Sequence, residues 1–197
     1  MKSELAAELS SLLAFSSIKN NDKVGLLLFS DEIESYIPPR KTTTHVLRII
    51  RDVLYYSSDD TGTDIARAIE YLHRVLRRKA VIFLLSDFFA DDFEKPLSIL
   101  ARKHDLIAVN VADPREEKIP GLGFIKFYDR ETREFIELDT RNKAFRDGYA
   151  DVFGEHKNKI KKIFDKSGVD SINLLTAESY VMPLIKFFYK RRQKKWR

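Results

Sequence analysis

Cysteine is absent from the 197-residue chain, which excludes disulfides, thiolate metal sites and cysteine nucleophiles and fits a reducing compartment. Glycine and proline are scarce, at seven and six residues, too few for collagen-like repeats or low-complexity linkers. Long hydrophobic runs are missing too: Ala80 to Leu85 is typical of the longest, far short of the ~20 residues that a membrane span needs. The start, MKSELAAELSSLLAF, breaks its apolar positions with Lys2, Glu4, Glu8 and serines, unlike the hydrophobic region of a signal peptide. These absences predict a cytoplasmic protein.

What is present suits a folded domain. The 35 basic and 30 acidic side chains leave a formal charge of +5, and 44% of residues are hydrophobic, enough for a real core. A chain of this length buries roughly 70% of its unfolded surface and is expected to form one domain over residues 1–197.

Apolar spacing at Leu5, Leu9, Leu12, Leu13 and Ile18 predicts a helix stopped by Asn20-Asn21-Asp22. Lys23 to Phe29 (KVGLLLF) reads as a buried strand, and Glu34 to Ile37, closed by Pro38-Pro39, as an edge strand. Helices over Thr44 to Tyr55 and Ile65 to Arg77 flank a polar loop from Ser57 to Gly62. Ala80 to Leu85 (AVIFLL) and Leu106 to Val111 are apolar strands separated by a helix from Asp92 to Lys103. Strands alternating with helices predict an α/β fold whose parallel sheet holds both KVGLLLF and AVIFLL. Phe124 to Tyr128 and Glu134 to Leu138 predict an added β-hairpin at about 123–139. A long helix from Asn142 to Lys166 ends at Gly168, a short strand spans Ser171 to Leu175, and Thr176 is placed to cap the last helix.

Ligands of open parallel sheets gather beyond the carboxyl ends of the strands. That rule points to Ser30, Asp31, Ser86, Asp87 and Asp113, and to the loop Asp59-Asp60-Thr61-Gly62-Thr63-Asp64. Such an oxygen-rich set suits Mg²⁺, Ca²⁺ or Mn²⁺ better than zinc or copper. The plainer alternative is that Asp87 ends a strand and Asp64 caps a helix. His45, His73, His104 and His156 show no metal-ligand spacing, and no nucleophile elbow, phosphate loop or dinucleotide fingerprint is present. The C-terminal KFFYKRRQKKWR interleaves cations with aromatics and is chemically able to hold phosphate backbones or acidic lipid. A last helix packed by its aromatics is the preferred reading, and nucleic-acid binding is not expected, because no second basic patch extends the first.

LAAELSSLLAFSSIKNNDKVGLLLFSD, YIPPRK, TGTDIARAI, RRKAVIFLLSDFF and RKHDLIAVNVADPREEKIP stand in an order and spacing that resemble the domain of unknown function 58 family. The resemblance runs from residue 1 into LIKFFYKRRQ. It implies a doubly wound, mainly parallel sheet like that of a von Willebrand factor A domain (Rossmann-like), carrying a metal-ion-dependent adhesion site. Thr63 in TGTD and Asp87 in LLSDFF match two positions of that site, whereas its first strand and Asp-x-Ser-x-Ser loop have no counterpart. The expectation is therefore an N-terminally truncated fold with an incomplete Mg²⁺-type site and no cofactor in this chain. A missing central strand would leave KVGLLLF and AVIFLL to pair directly or to be covered by a second copy as a homodimer.

The resemblance also implies a non-enzymatic interaction module, partner of a MoxR-type AAA ATPase or its client in assembling or maturing other complexes. Ser30, Asp31, Asp64 and Asp113 would rim its recognition surface. The rival is a metal-dependent hydrolase or phosphotransfer enzyme using Asp87, Asp91, Asp113 and Glu116.

Overall fold

Leu5, Leu9 and Ala14 are buried on helix α1 (Lys2–Lys19) of the computed structural model, which describes residues 2–56, 62–117, 119–128 and 135–194. Leu12 and Phe15 of the same helix are exposed, so the core-facing stripe is narrower than the leucine spacing predicts. Strand β1 (Val24–Phe29) pairs antiparallel with β2 (Ile33–Arg40) as a two-stranded sheet. A register shift between Val24 and Leu26 marks a bulge. A Cβ on Gly25 would lie 2.7 Å from the Ile37 carbonyl oxygen, so the bulge requires glycine there. β2 runs through Pro38 and Pro39 to Arg40 rather than stopping before them, a course that a strand with one pairing neighbour tolerates.

Helix α2 (Thr43–Leu54) starts where the Thr42 side chain accepts the His45 amide at 3.3 Å. The His45 ring Nε2 lies 3.0 Å from the Val24 carbonyl, tying α2 to the start of β1. Ala14, Ile37, Val46 and Ile49 form the core between α1, α2 and this sheet, with Ile18, Leu26, Ile50 and Val53 around it. Helix α3 (Ile65–Val75) buries Ile65, Ala68 and Ile69. Residues Met1–Arg78 with Phe89–Leu100 make one compact unit, and Lys79–Phe88 with Ala101–Arg197 make another.

Chain order continues through β3 (Val81–Ser86), α4 (Glu94–Lys103), β4 (Asp105–Ala112), α5 (Pro114–Glu117), β5 (Phe124–Tyr128), β6 (Phe135–Asp139), α6 (Lys143–Ser167), β7 (Asp170–Leu175) and α7 (Val181–Lys194). β3, β4 and β7 form a parallel sheet in that order. Central β4 buries Leu106, Ile107, Ala108, Val109 and Val111, as a strand covered on both faces must. β5 and β6 pair as the expected antiparallel hairpin. Asn142 caps α6, and Gly168 ends it in the left-handed region at φ 65°, where glycine carries no Cβ penalty. The architecture is mixed α/β with a parallel three-stranded sheet, consistent with the Rossmann-like class.

Two expectations are corrected. KVGLLLF and AVIFLL do not share a sheet, nor do they pair with each other. Among the described residues β1 is laddered to β2 alone, across the turn at Ser30 to Glu32, and β3 to β4 alone. No described strand is laddered to both. Thr176 does not cap the last helix: its amide donates to the Ala112 carbonyl at 3.0 Å, and α7 begins at Val181, with Pro183 in its first turn. Proline is tolerated in a first turn because its missing N–H has no helical acceptor there.

Candidate functional site

Ser30 follows the last residue of β1 and is 5% exposed. Its hydroxyl lies against the carboxylates of Asp31, at 3.1 Å, and Glu34, and its single hydrogen serves one of them at a time. The Glu32 amide donates to the same oxygen at 3.3 Å, and the Asp64 amide donates to the Ser30 carbonyl at 2.8 Å. These bonds bring the loop before α3 to the end of β1. Gly62 permits the approach, since a Cβ there would lie 3.3 Å from the Asp31 Cβ.

The Asp64 carboxylate caps α3 by accepting the Arg67 amide at 2.8 Å, which confirms the capping role expected of it. Arg67 donates to the Asp31 carbonyl at 2.9 Å and pairs with Glu32 at 3.7 Å. Ser30, Asp31, Thr63 and Asp64 thus share one corner, with Asp31 and Thr63 exposed. Glu34 and Arg67 belong to it as well. Sequence reading misses both, because neither stands in a strand-end position. Asp59, Asp60 and Thr61 lie outside the described residues.

Asp87 and Asp113 belong to the other unit, just beyond the carboxyl ends of the neighbouring strands β3 and β4. Ser86 is level with Asn110, so Asp113 stands two residues farther along the strand direction than Asp87, roughly 7 Å by strand rise. The Asp113 carboxylate accepts the Arg115 amide at 2.9 Å and opens α5, a turn role. After Asp87 the chain turns sharply: Phe88 takes φ 58°, a conformation rare for an aromatic residue. Full burial against Phe164, with ring centroids 5.0 Å apart, and donation of its amide to the Ser86 hydroxyl at 3.0 Å hold Phe88 there. Asn110 and Asn173 join β4 to β7 through their side chains at 3.0 Å. The signal available for that pair was a polar residue interrupting each apolar run, LIAVNVA and INLL.

The two expected metal positions fall in different units, Thr63 in one and Asp87 in the other. Mg²⁺ demands six oxygen ligands, and a neutral hydroxyl with a single carboxylate falls far short. No group of three histidine or carboxylate side chains able to hold a metal gathers among the described residues. No helix among the described residues is long and apolar enough to cross a membrane.

Known proteins resemble the chain closely enough to place it. It is 25% identical over 195 residues to uncharacterised proteins of Mycobacterium bovis (Mb1516) and Mycobacterium tuberculosis (Rv1480), a match covering 98% of this chain and 61% of each relative. The chain therefore spans about three fifths of the length of these curated relatives. An uncharacterised protein of Mycobacterium avium (MAV169) is 29% identical over 134 residues, which is 66% of this chain and 77% of that protein. The crystal structure of the conserved hypothetical protein BatB from Bacteroides thetaiotaomicron shares the fold, with a TM-score of 0.61 over 98% of this chain and 88% of that one, at 17% identity. The family described as protein of unknown function DUF58 matches residues 1–159, and the chain belongs to it.

Proposed function

We propose that the chain is a non-enzymatic protein–protein interaction module, a von Willebrand factor A-like domain that partners a MoxR-type AAA ATPase in assembling or maturing other complexes. Both compact units belong to that one doubly wound domain. Thr63 and Asp87 are remnants of its metal-ion-dependent adhesion site, and Ser30, Asp31, Asp64 and Asp113 rim the recognition surface.

The observation that supports a binding role over an enzymatic one is the state of Ser30. A serine hydroxyl donating to a carboxylate has the outline of a nucleophile with its base. Here the serine is 5% exposed and its oxygen also accepts the Glu32 amide, so the group is a latch that substrate cannot reach. The exposed members of the corner are Asp31, Glu32, Glu34, Thr63 and Arg67, three carboxylates against one guanidinium, so the surface is net anionic and oxygen-rich and suits a basic partner.

The test is titration of the purified chain against a MoxR-type ATPase from the same organism. Saturable binding weakened at least about tenfold by Asp31→Arg, on an unchanged circular dichroism spectrum, is the expected result. Absence of association, or association indifferent to Asp31 and Asp64, overturns it. Turnover of phosphoester substrates with Mg²⁺ or Mn²⁺ that Asp87→Ala abolishes would establish the hydrolase instead.

A further inference from the structure

Helix α7 leaves much of its apolar surface uncovered. Leu184 is buried and Phe187 and Arg191 are half-buried, and Arg191 bridges Asp105 and Asp170 at the starts of β4 and β7. On another side, Val181, Met182, Ile185, Phe188 and Tyr189 are between 41% and 56% exposed, although Phe188 still touches Phe83 at 6.3 Å between ring centroids. At 100° per residue these five positions share an arc of about 120°. Arg192 falls within that arc, while Lys186 lies about 40° and Lys190 about 80° beyond its edge on the side of Met182. The helix carries no acidic residue, and the sequence continues as Lys195-Trp196-Arg197.

We propose that this face of α7 docks the protein on an anionic lipid bilayer, with the helix lying in the plane of the interface. This surface shares no residue with the acidic corner at Ser30. The aliphatic and aromatic side chains would enter the boundary between headgroups and acyl chains, while the lysines and Arg192 meet lipid phosphates. Charge argues against a second copy of the helix as occupant: a two-fold pairing would oppose cations to cations, with no carboxylate on α7 to offset them. Shape argues against nucleic acid, because Val181, Met182 and Ile185 have no flat face on which a base stacks. The exposed side chains stand clear along one helix, and a bilayer covers such a surface without needing a groove.

Vesicle co-sedimentation tests the proposal on the full chain, with the single tryptophan as a second readout. Vesicles of phosphatidylcholine with about 30% phosphatidylglycerol are expected to bind the protein and shift tryptophan emission to the blue. Pure phosphatidylcholine, the Lys186→Glu/Lys190→Glu variant and the Met182→Ser/Ile185→Ser variant are each expected to bind at least about tenfold more weakly, with circular dichroism unchanged. All four substituted positions are exposed, so the fold should tolerate them. No binding to the anionic vesicles, or binding that survives both variants, overturns the proposal. So does DNA binding unaffected by Met182→Ser/Ile185→Ser in a protein that ignores vesicles, or a dimer that Ile185→Asp dissolves in such a protein.

Discussion

Gly25 is a small residue with a large steric role. Its missing Cβ would collide with the Ile37 carbonyl at 2.7 Å and crowd Pro39, and both contacts are to backbone or ring atoms unable to rotate away. Gly25→Ala is expected to lower stability by about 1–3 kcal/mol, seen as an earlier urea midpoint; an unchanged midpoint would mean that the bulge relaxes. Tyr36 on β2 offers a pH-dependent test. Burial, and then the neighbouring Tyr71 hydroxyl, raise its pKa above the usual 10.0, and the two rings meet edge to face at 5.4 Å. The folded state therefore holds the proton longer than the unfolded chain. The stability due to neutral Tyr36 is full below the unfolded pKa and is lost as pH rises through the folded one. Denaturation midpoints between about pH 9 and about pH 11 should fall less steeply in Tyr36→Phe than in the parent, and equal slopes would refute this account.

Among the elements, α7 and the parallel sheet are joined by a charge clamp. Arg191 is 16% exposed and bonds Asp105 and, at 3.1 Å, Asp170, while its guanidinium also lies 5.8 Å from the Phe187 ring centroid. Removing it leaves two half-buried carboxylates at adjacent strand starts without that cation. Arg191→Met is expected to cost about 2 kcal/mol, less than a fully buried pair would because water reaches part of the site. Arg191→Lys should recover only a fraction, since an ammonium cannot reproduce a fork spanning two acceptors. Equal stability of the lysine variant and the parent would show that charge alone suffices. A second polar tie holds the hairpin: fully buried Thr140 donates to the Gly123 carbonyl at 2.7 Å and accepts the Leu122 amide at 3.0 Å. Its carbonyl receives Arg146 of α6 at 2.7 Å.

At the scale of the whole molecule, strand edges are the exposed liability. Among the described residues β4 is laddered on both sides, whereas β1 and β3 are each laddered on one. Apolar strands with an unladdered edge invite another strand, from a second copy or from another segment. Amides of β3 should exchange faster than those of β4 in dilute protein, and become protected as concentration rises and the sedimentation coefficient increases. Persistent monomer with rapidly exchanging β3 at high concentration would refute self-association. Equal protection of β3 and β4 in the monomer would show that the edge is already covered.

Much of the fold was legible locally. The apolar runs marked β1, β3 and β4, the 3.6-residue spacing marked α2 and α3, and Asn142 and Gly168 marked the ends of α6, because these signals depend on residues within a few positions of one another. Family membership was equally legible, being a property of motif order. Tertiary structure alone decided which strands share a sheet, since ladder partners are chosen by long-range register that no local periodicity carries. It also decided the roles of the candidate residues. Ser30, read from its strand-end position, became a buried latch only when Glu34 and the loop at Asp64 closed on it. Asp64, read from its place before an apolar-periodic run, became the cap of α3 through its bond to the Arg67 amide, because only the folded turn brings the carboxylate onto that N–H.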